Sequence, residues 1–90
     1  MIPKIGPNVA WQIVDDEAII VDLASGKTIG LNPTATVLWS SIDGQRDADA
    51  LATALAGTFA VSAETAQSDT AEFLTELTRR SLIVDAEDAR

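Results

Sequence analysis

The feature that most constrains this chain is a change of hydrophobic period at Asn32-Pro33. Before that point apolar residues alternate or run in short blocks, as in β-strands. After it they recur every three to four residues, as on amphipathic α-helices. Asn is a favoured N-cap and Pro is favoured in the first helical turn, so the pair marks a strand-to-helix boundary. The chain is therefore predicted to be α+β, with its strands first and its helices second.

Three short strands are predicted in the first third of the chain. Residues Val9–Val14 alternate between two faces, which is typical of a strand with one buried face. Ala18–Leu23 is apolar on both faces and is predicted to lie in the middle of the sheet. Gly26 supplies a turn because it adopts positive φ at little steric cost, and Thr28–Leu31 returns as the third strand. This antiparallel meander leaves Thr28–Leu31 with a free edge.

Three helices are predicted after the strands, and each begins with a residue type that caps helices well. The caps are Asn32, Asp47 and Ser62. Asp43-Gly44 ends the first helix, and the second spans about Ala48–Thr58. A three-stranded antiparallel sheet followed by three short helices is a winged helix-turn-helix-like arrangement.

The two ends of the chain are predicted to add little regular structure. Residues 1–8 contain two prolines and a glycine and are expected to form an irregular lead-in. Residues 9–84 are expected to form one domain, with Leu82, Ile83 and Val84 as a short apolar tail that packs back onto the core. Residues 85–90 are expected to be a polar tail.

Several residue types that carry protein chemistry are missing. The sequence has no cysteine and no histidine, which excludes disulfides, thiol nucleophiles, ordinary zinc sites and histidine-based catalysis. Asp15-Asp16-Glu17 is a dense group of carboxylates, but it lacks the spacing of a calcium loop, and acidic residues are common in turns. No phosphate-binding glycine motif is present. We therefore predict that the protein is not an enzyme and has no metal or cofactor.

The net charge of −8 argues against nucleic acid as a partner. Affinity for nucleic acid comes largely from clustered Lys and Arg, and the six basic residues here are scattered. An acidic surface fits a protein or peptide partner with some positive charge, or it serves only to keep a small protein in solution. No apolar run is long enough to span a membrane, and the N-terminus lacks the apolar core of a signal peptide. We predict a cytoplasmic protein without membrane contact.

A short edge strand beside helices is a place where another chain can dock. The third helix adds a stripe of mainly apolar residues. That stripe consists of Ala66, Thr70, Phe73, Leu74 and Leu77. It is either core throughout or in part the wall of a groove beside the third strand. The residues alone leave both readings open.

Several motifs, taken in order, resemble the PqqD-like family. They are Asp22-Leu23, Gly26-Lys27, Leu31-Asn32, Ala35, Leu38-Trp39 and Asp43-Gly44, followed by Leu51, Leu55, Phe59-Ala60-Val61, Asp69, Phe73-Leu74, Leu77 and Leu82-Ile83. The resemblance covers about residues 9–84 and implies a winged helix-turn-helix. It also implies the function of a stand-alone RiPP recognition element. Such a protein binds the leader segment of a ribosomally synthesised precursor peptide and presents it to a separate radical enzyme, protease or cyclase.

The resemblance further implies a binding site. In the family the leader adds as a strand to the third strand of the sheet and lies in a groove against the third helix. The positions carried over are Lys27, Thr28, Ile29, Gly30, Leu31, Ala66, Asp69, Thr70, Phe73 and Leu77. This chain departs from the family twice. Ile29 stands where many relatives have an aromatic residue, and Ser81 stands where relatives often have Gly before the final Leu-Ile pair.

Two other functions remain open at this point. A winged-helix regulator that binds DNA is permitted by the fold and disfavoured by the charge. A small enzyme or metal-binding protein is disfavoured by the missing His and Cys. An unpaired strand edge also allows pairing with a second copy, so we expect a monomer or a weak homodimer.

Overall fold

Residues 1–87, which the computed structural model describes, form five strands and three helices. In chain order they are β1 (Pro3–Ile5), β2 (Val9–Val14), β3 (Glu17–Asp22), β4 (Lys27–Gly30), α1 (Pro33–Ser41), α2 (Ala48–Thr58), α3 (Ala63–Arg79) and β5 (Ile83–Asp85). The α+β class and the order of the three predicted strands and three helices are confirmed. The predicted second and third strands are each displaced by one residue.

The main sheet is antiparallel, with the order β2-β3-β4. The predicted central position of β3 is confirmed. Its face with Ala18 and Ile20 is fully buried, whereas Ile19 on the opposite face is 38% exposed. Asp15 and Asp16 make the β2–β3 turn with φ of 51° and 64°, the left-handed values of a two-residue type I′ turn. Gly26 makes the β3–β4 turn with the expected positive φ of 75°.

The three predicted caps each bond the backbone N–H three residues ahead. The pairs are Asn32 with Ala35 (2.8 Å), Asp47 with Ala50 (2.9 Å) and Ser62 with Thr65 (3.1 Å). The Ser62 hydroxyl also donates to the Thr65 hydroxyl at 3.0 Å. This contact joins the two side chains and is not the reciprocal bond of a capping box, in which the side chain three residues ahead accepts from the backbone N–H of the cap. No helix within residues 1–87 combines the length and apolarity needed to cross a bilayer.

The core lies between one face of the sheet and the helices, around Trp39. The Trp39 ring is fully buried and forms a T-shaped pair with Trp11, with ring centroids 5.9 Å apart and planes at 88°. Edge-to-face pairs of this kind stabilise a core beyond their buried area. Trp11 remains 40% exposed because it belongs to an edge strand. Trp39 is thus a core residue, and Trp11 lies at the border of the core.

The structure corrects the expected irregular lead-in at residues 1–8. Pro3–Ile5 is strand β1 and pairs antiparallel with β5, so Ile5 lies opposite Ile83 and Pro3 opposite Asp85. Asp85 thus belongs to a strand and not to the predicted polar tail. Residues 88–90 of that tail lie outside the described residues. Short strands paired between the two ends of a chain have no local sequence signature, since the pairing depends on long-range contact.

Ser81 ends α3 in a left-handed conformation with φ of 59°. The N–H of Leu82 donates to the carbonyl of Leu77 at 2.9 Å, and the N–H of Ser81 donates to the carbonyl of Thr78 at 3.0 Å. These two bonds define a Schellman motif, in which Gly is the usual residue at the left-handed position. In this chain Ser81 occupies that position.

Candidate functional site

Strand β4 has one edge that no strand within residues 1–87 occupies. Its other edge pairs with β3, with Ile20 opposite Ile29 and Asp22 opposite Lys27. Thr28 and Gly30 are exposed and Ile29 is half-buried against the core. A Cβ added at Gly30 would meet open space, so the backbone there can be approached closely.

The hydrogen-bonding direction of each β4 residue follows from one observed bond. The N–H of Leu31 donates to the carbonyl of Ala18 on β3 at 2.8 Å. Because peptide groups alternate in direction along a strand, Ile29 and Lys27 also face β3. The peptide groups of Thr28 and Gly30 consequently face the free edge. This narrows the predicted backbone contacts of Lys27–Leu31 to two residues.

Three of the five predicted residues on α3 are core residues. Ala66 and Thr70 are 1% exposed and Leu77 is 3% exposed, so their side chains do not line an open groove. They lie on the helix stripe that faces the core, and Thr70 places its hydroxyl there without a hydrogen-bond partner. The side chain of Leu31 is likewise buried. The structure corrects the expectation that Thr70 and Leu77 form groove walls.

The other two predicted α3 residues, Asp69 and Phe73, line a cavity of about 330 Å³ between α1 and α3. Its full lining is Asn32, Thr34, Ala35, Leu38, Asp69, Glu72 and Phe73. Asn32 stands two residues after the end of β4, so one side of the cavity lies near that end of the strand. It combines an apolar floor with carboxylates from one face of α3, since Asp69 and Glu72 are three residues apart.

Five lining residues are absent from the sequence-based prediction. They are Asn32, Thr34, Ala35, Leu38 and Glu72. The helix stripe of α1 contains Ala35 and Leu38, and a stripe predicts packing without saying which part stays open. Only Glu72 could have been identified from the sequence as a neighbour of Asp69, because residues three apart share a helix face.

The arginines of the described residues are paired with nearby carboxylates and do not form a basic surface. Arg46 pairs with Asp43 at 3.7 Å, and Arg79 and Arg80 both pair with Glu76, at 2.5 and 2.7 Å. Hydrogen bonds from Arg79 and then Arg80 lower the pKa of Glu76 from 4.5 to about 2. The cations on α3 are thus engaged by a carboxylate of the same helix.

Unlike Glu76, the two carboxylates at the cavity are not paired with arginine in the part of the chain that the structure describes. Neither Asp69 nor Glu72 forms an ion pair with a cation in residues 1–87. Within the same residues no three acidic side chains come together as a metal site would require. The site can therefore bind an extended chain through its edge and hold one side chain in an acidic, partly apolar cavity.

Known proteins resemble the chain in sequence and in fold. The family described as coenzyme PQQ synthesis protein D (PqqD) matches residues 17–83. The solved structure of TbiB1 in complex with the TbiA(beta) leader peptide is similar, with a TM-score of 0.81, 25% identity and coverage of 89% of this chain and 93% of that one. Lasso peptide synthetase B1 complexed with the leader peptide has a TM-score of 0.82 at 20% identity, over 93% and 99% of the two chains. No curated protein sequence matches. The family match spans well over half of the residues, and the chain belongs to the PqqD family.

Proposed function

We propose that this protein binds the leader segment of a ribosomally synthesised precursor peptide and presents it to a separate modifying enzyme. The observation that carries the proposal is the free edge of β4, where the peptide groups of Thr28 and Gly30 face outward beside a cavity. Two similar structures hold leader peptides, which supports the same class of ligand here.

Binding at this edge is strand addition. Each of the two outward residues offers one N–H and one C=O, and each hydrogen bond contributes about 1 kcal/mol net. These contacts read the peptide backbone and not its sequence. Selection among peptides then falls to the cavity, where Phe73 and Leu38 provide apolar surface and Asp69 and Glu72 provide charge.

The chemistry of the modification belongs to the second partner in this proposal. The sequence contains neither of the residue types, Cys and His, that most often act as nucleophile or general base. The protein therefore acts as an adaptor. Because precursor peptides are products of ribosomes, the encounter is assigned to the cytoplasm.

The proposal is tested by fluorescence polarisation with the labelled leader of the precursor encoded beside this gene. Gly30→Pro removes one outward N–H and fixes φ, so leader affinity should fall by roughly tenfold or more. Gly30→Ala is the matched control, because it keeps the N–H and its Cβ enters open space. Its affinity should stay within about twofold of the wild type.

Circular dichroism establishes that both variants keep the fold. Equal leader affinity in Gly30→Pro and the wild type would contradict strand addition at β4. Absence of leader binding by the wild-type protein would contradict the proposed function as a whole.

A further inference from the structure

The sheet has a second free edge, formed by β2. The N–H of Leu23 donates to the carbonyl of Asn8 at 2.9 Å, which marks that pair as hydrogen-bonded. Because peptide groups alternate in direction, those of Val9, Trp11 and Ile13 face away from β3. No strand within residues 1–87 pairs with them.

The β2 edge carries large apolar side chains in the open. Trp11 is 40% exposed, Ile13 48% and Val14 42%. Trp11 and Ile13 share one face of the sheet, where they form an apolar patch of the kind that marks interaction sites, whereas Val14 lies on the other face. An edge strand without charged residues also lacks the usual protection against pairing with other chains.

A cavity of about 450 Å³ adjoins this edge at Ile13. Its lining also comes from α1 and from the end of α2, and consists of Ile13, Asp16, Pro33, Thr36, Val37, Ser40, Ser41 and Phe59. It shares no residue with the cavity at β4. The volume accommodates a large apolar side chain, with Phe59 and Val37 as apolar walls.

The hairpin tip beside this surface carries only negative charge. Asp15, Asp16 and Glu17 stand at the tip of the β2–β3 hairpin, and Asp16 lines the cavity. No cation within residues 1–87 forms an ion pair with any of the three. A second copy, itself with a net charge of −8, would bring more negative charge to this face. A basic partner is complementary to it.

We propose that the β2 edge is the docking surface for the modifying enzyme. The enzyme would contribute an extended segment that pairs with Val9, Trp11 and Ile13, seats one bulky apolar side chain beside Ile13, and places a Lys or Arg near Asp16. The inference rests on the proposed function. Since β3 separates the two edges, leader and enzyme are bound at the same time without competing for a strand.

The test uses the modifying enzyme encoded with the precursor, immobilised for biolayer interferometry against the leader-loaded protein. Ile13→Lys removes the apolar contact and opposes a basic partner, so enzyme affinity should fall by roughly tenfold or more. Gln12→Lys is the matched control. It makes the same change of charge one residue away, on the opposite face of the sheet. It should change enzyme affinity by about twofold at most.

Leader affinity separates this inference from the proposed function. Ile13→Lys should keep the wild-type leader affinity in fluorescence polarisation. Thermal unfolding checks its fold, and Ile13→Thr serves as the second variant because a β-branched side chain suits the strand. Asp16→Asn should weaken enzyme binding by about threefold, and more at low salt than at high salt.

Four results would overturn the inference. The first is equal enzyme affinity in Ile13→Lys and the wild type. The second is a loss of leader affinity in Ile13→Lys, which would place the leader on β2. The third is a wild-type dimer in sedimentation velocity that Ile13→Lys dissociates, which would make a second copy the occupant. Wild-type protein that binds the leader and not the enzyme would also overturn it, while leader binding would stand.

Discussion

The two edges of the main sheet differ in what they expose. β4 has four residues, and its exposed side chains are Lys27 and Thr28, with Gly30 bare. β2 has six residues and exposes Trp11 and Ile13 among its apolar side chains. Each edge adjoins a cavity formed with α1, and the two cavities have no lining residue in common.

This difference separates two modes of recognition. An edge with small side chains leaves its peptide groups open, so it can pair with many extended peptides and leave selection to the neighbouring cavity. An edge with bulky apolar side chains gains its affinity from burying them, so it requires a partner of matching shape. The first mode suits a variable leader, and the second suits one constant protein partner.

The largest effect is expected for a proline at a β4 residue whose N–H faces β3. Ile29→Pro removes an N–H that faces β3 and leaves a carbonyl on β3 without its donor. The free energy of unfolding should fall by about 3 kcal/mol, measured by urea denaturation. Gly30→Pro, one residue further, should lose about 1 kcal/mol at most, because its N–H faces the free edge.

Equal destabilisation by the two prolines would show that the alternation assigned to β4 is wrong. The comparison between the edges would then fail at its first step, since the outward peptide groups would be those of Ile29 and not those of Thr28 and Gly30.

A second pair of variants assigns the leader to one edge. Phe73→Ala opens the cavity beside β4, and leader affinity should fall roughly tenfold, about 1.4 kcal/mol. Ile13→Ala at the β2 cavity should leave leader affinity unchanged. Isothermal titration calorimetry with the leader measures both. The opposite ranking would exchange the roles of the two edges.

A third prediction separates stability from binding. Ser81 lines neither cavity and adopts a left-handed φ of 59°, which glycine adopts with less strain. Ser81→Gly should raise the free energy of unfolding by about 0.5 kcal/mol, because relief of strain exceeds the greater entropy of glycine in the unfolded chain. Thermal denaturation measures the change. Leader and enzyme affinity should stay unchanged, because both are assigned to contacts at the two strand edges. Altered affinity in this variant would show that binding depends on the stability of the whole domain instead.

The smallest effect concerns pH. Glu76 has a pKa lowered to about 2 by its hydrogen bonds with Arg79 and Arg80, so its interactions favour the folded state above pH 4.5. That contribution decreases as pH falls from 4.5 towards 2 and is lost below pH 2, where the carboxylate is protonated in both states. Glu76→Gln should therefore be slightly less stable than the wild type at pH 7, and the difference should shrink as pH approaches 2. A stability difference that grows on acidification would contradict this assignment.

Local sequence patterns predicted the parts of the fold that depend on neighbouring residues. The three caps at Asn32, Asp47 and Ser62, the turn at Gly26 and the central position of β3 all follow from residue type and period. They follow because each depends on contacts within a few residues, or on one strand being apolar on both faces.

The candidate site was predicted less completely. Phe73 and Asp69 were identified through the family resemblance, and both line the cavity at β4. Thr70 and Leu77 were predicted beside them and are core residues. A helix stripe shows which residues share a face, but the packing of the other elements determines how much of that face stays open.

By itself, the sequence determined the α+β order of elements, an acidic surface and the absence of cysteine and histidine chemistry. Only the tertiary structure decided that β1 and β5 join the two chain ends, which peptide groups face outward, and that a second cavity adjoins the β2 edge. The reason is physical. Composition and period act over a few residues, whereas an edge or a cavity exists only through what distant elements cover and what they leave uncovered.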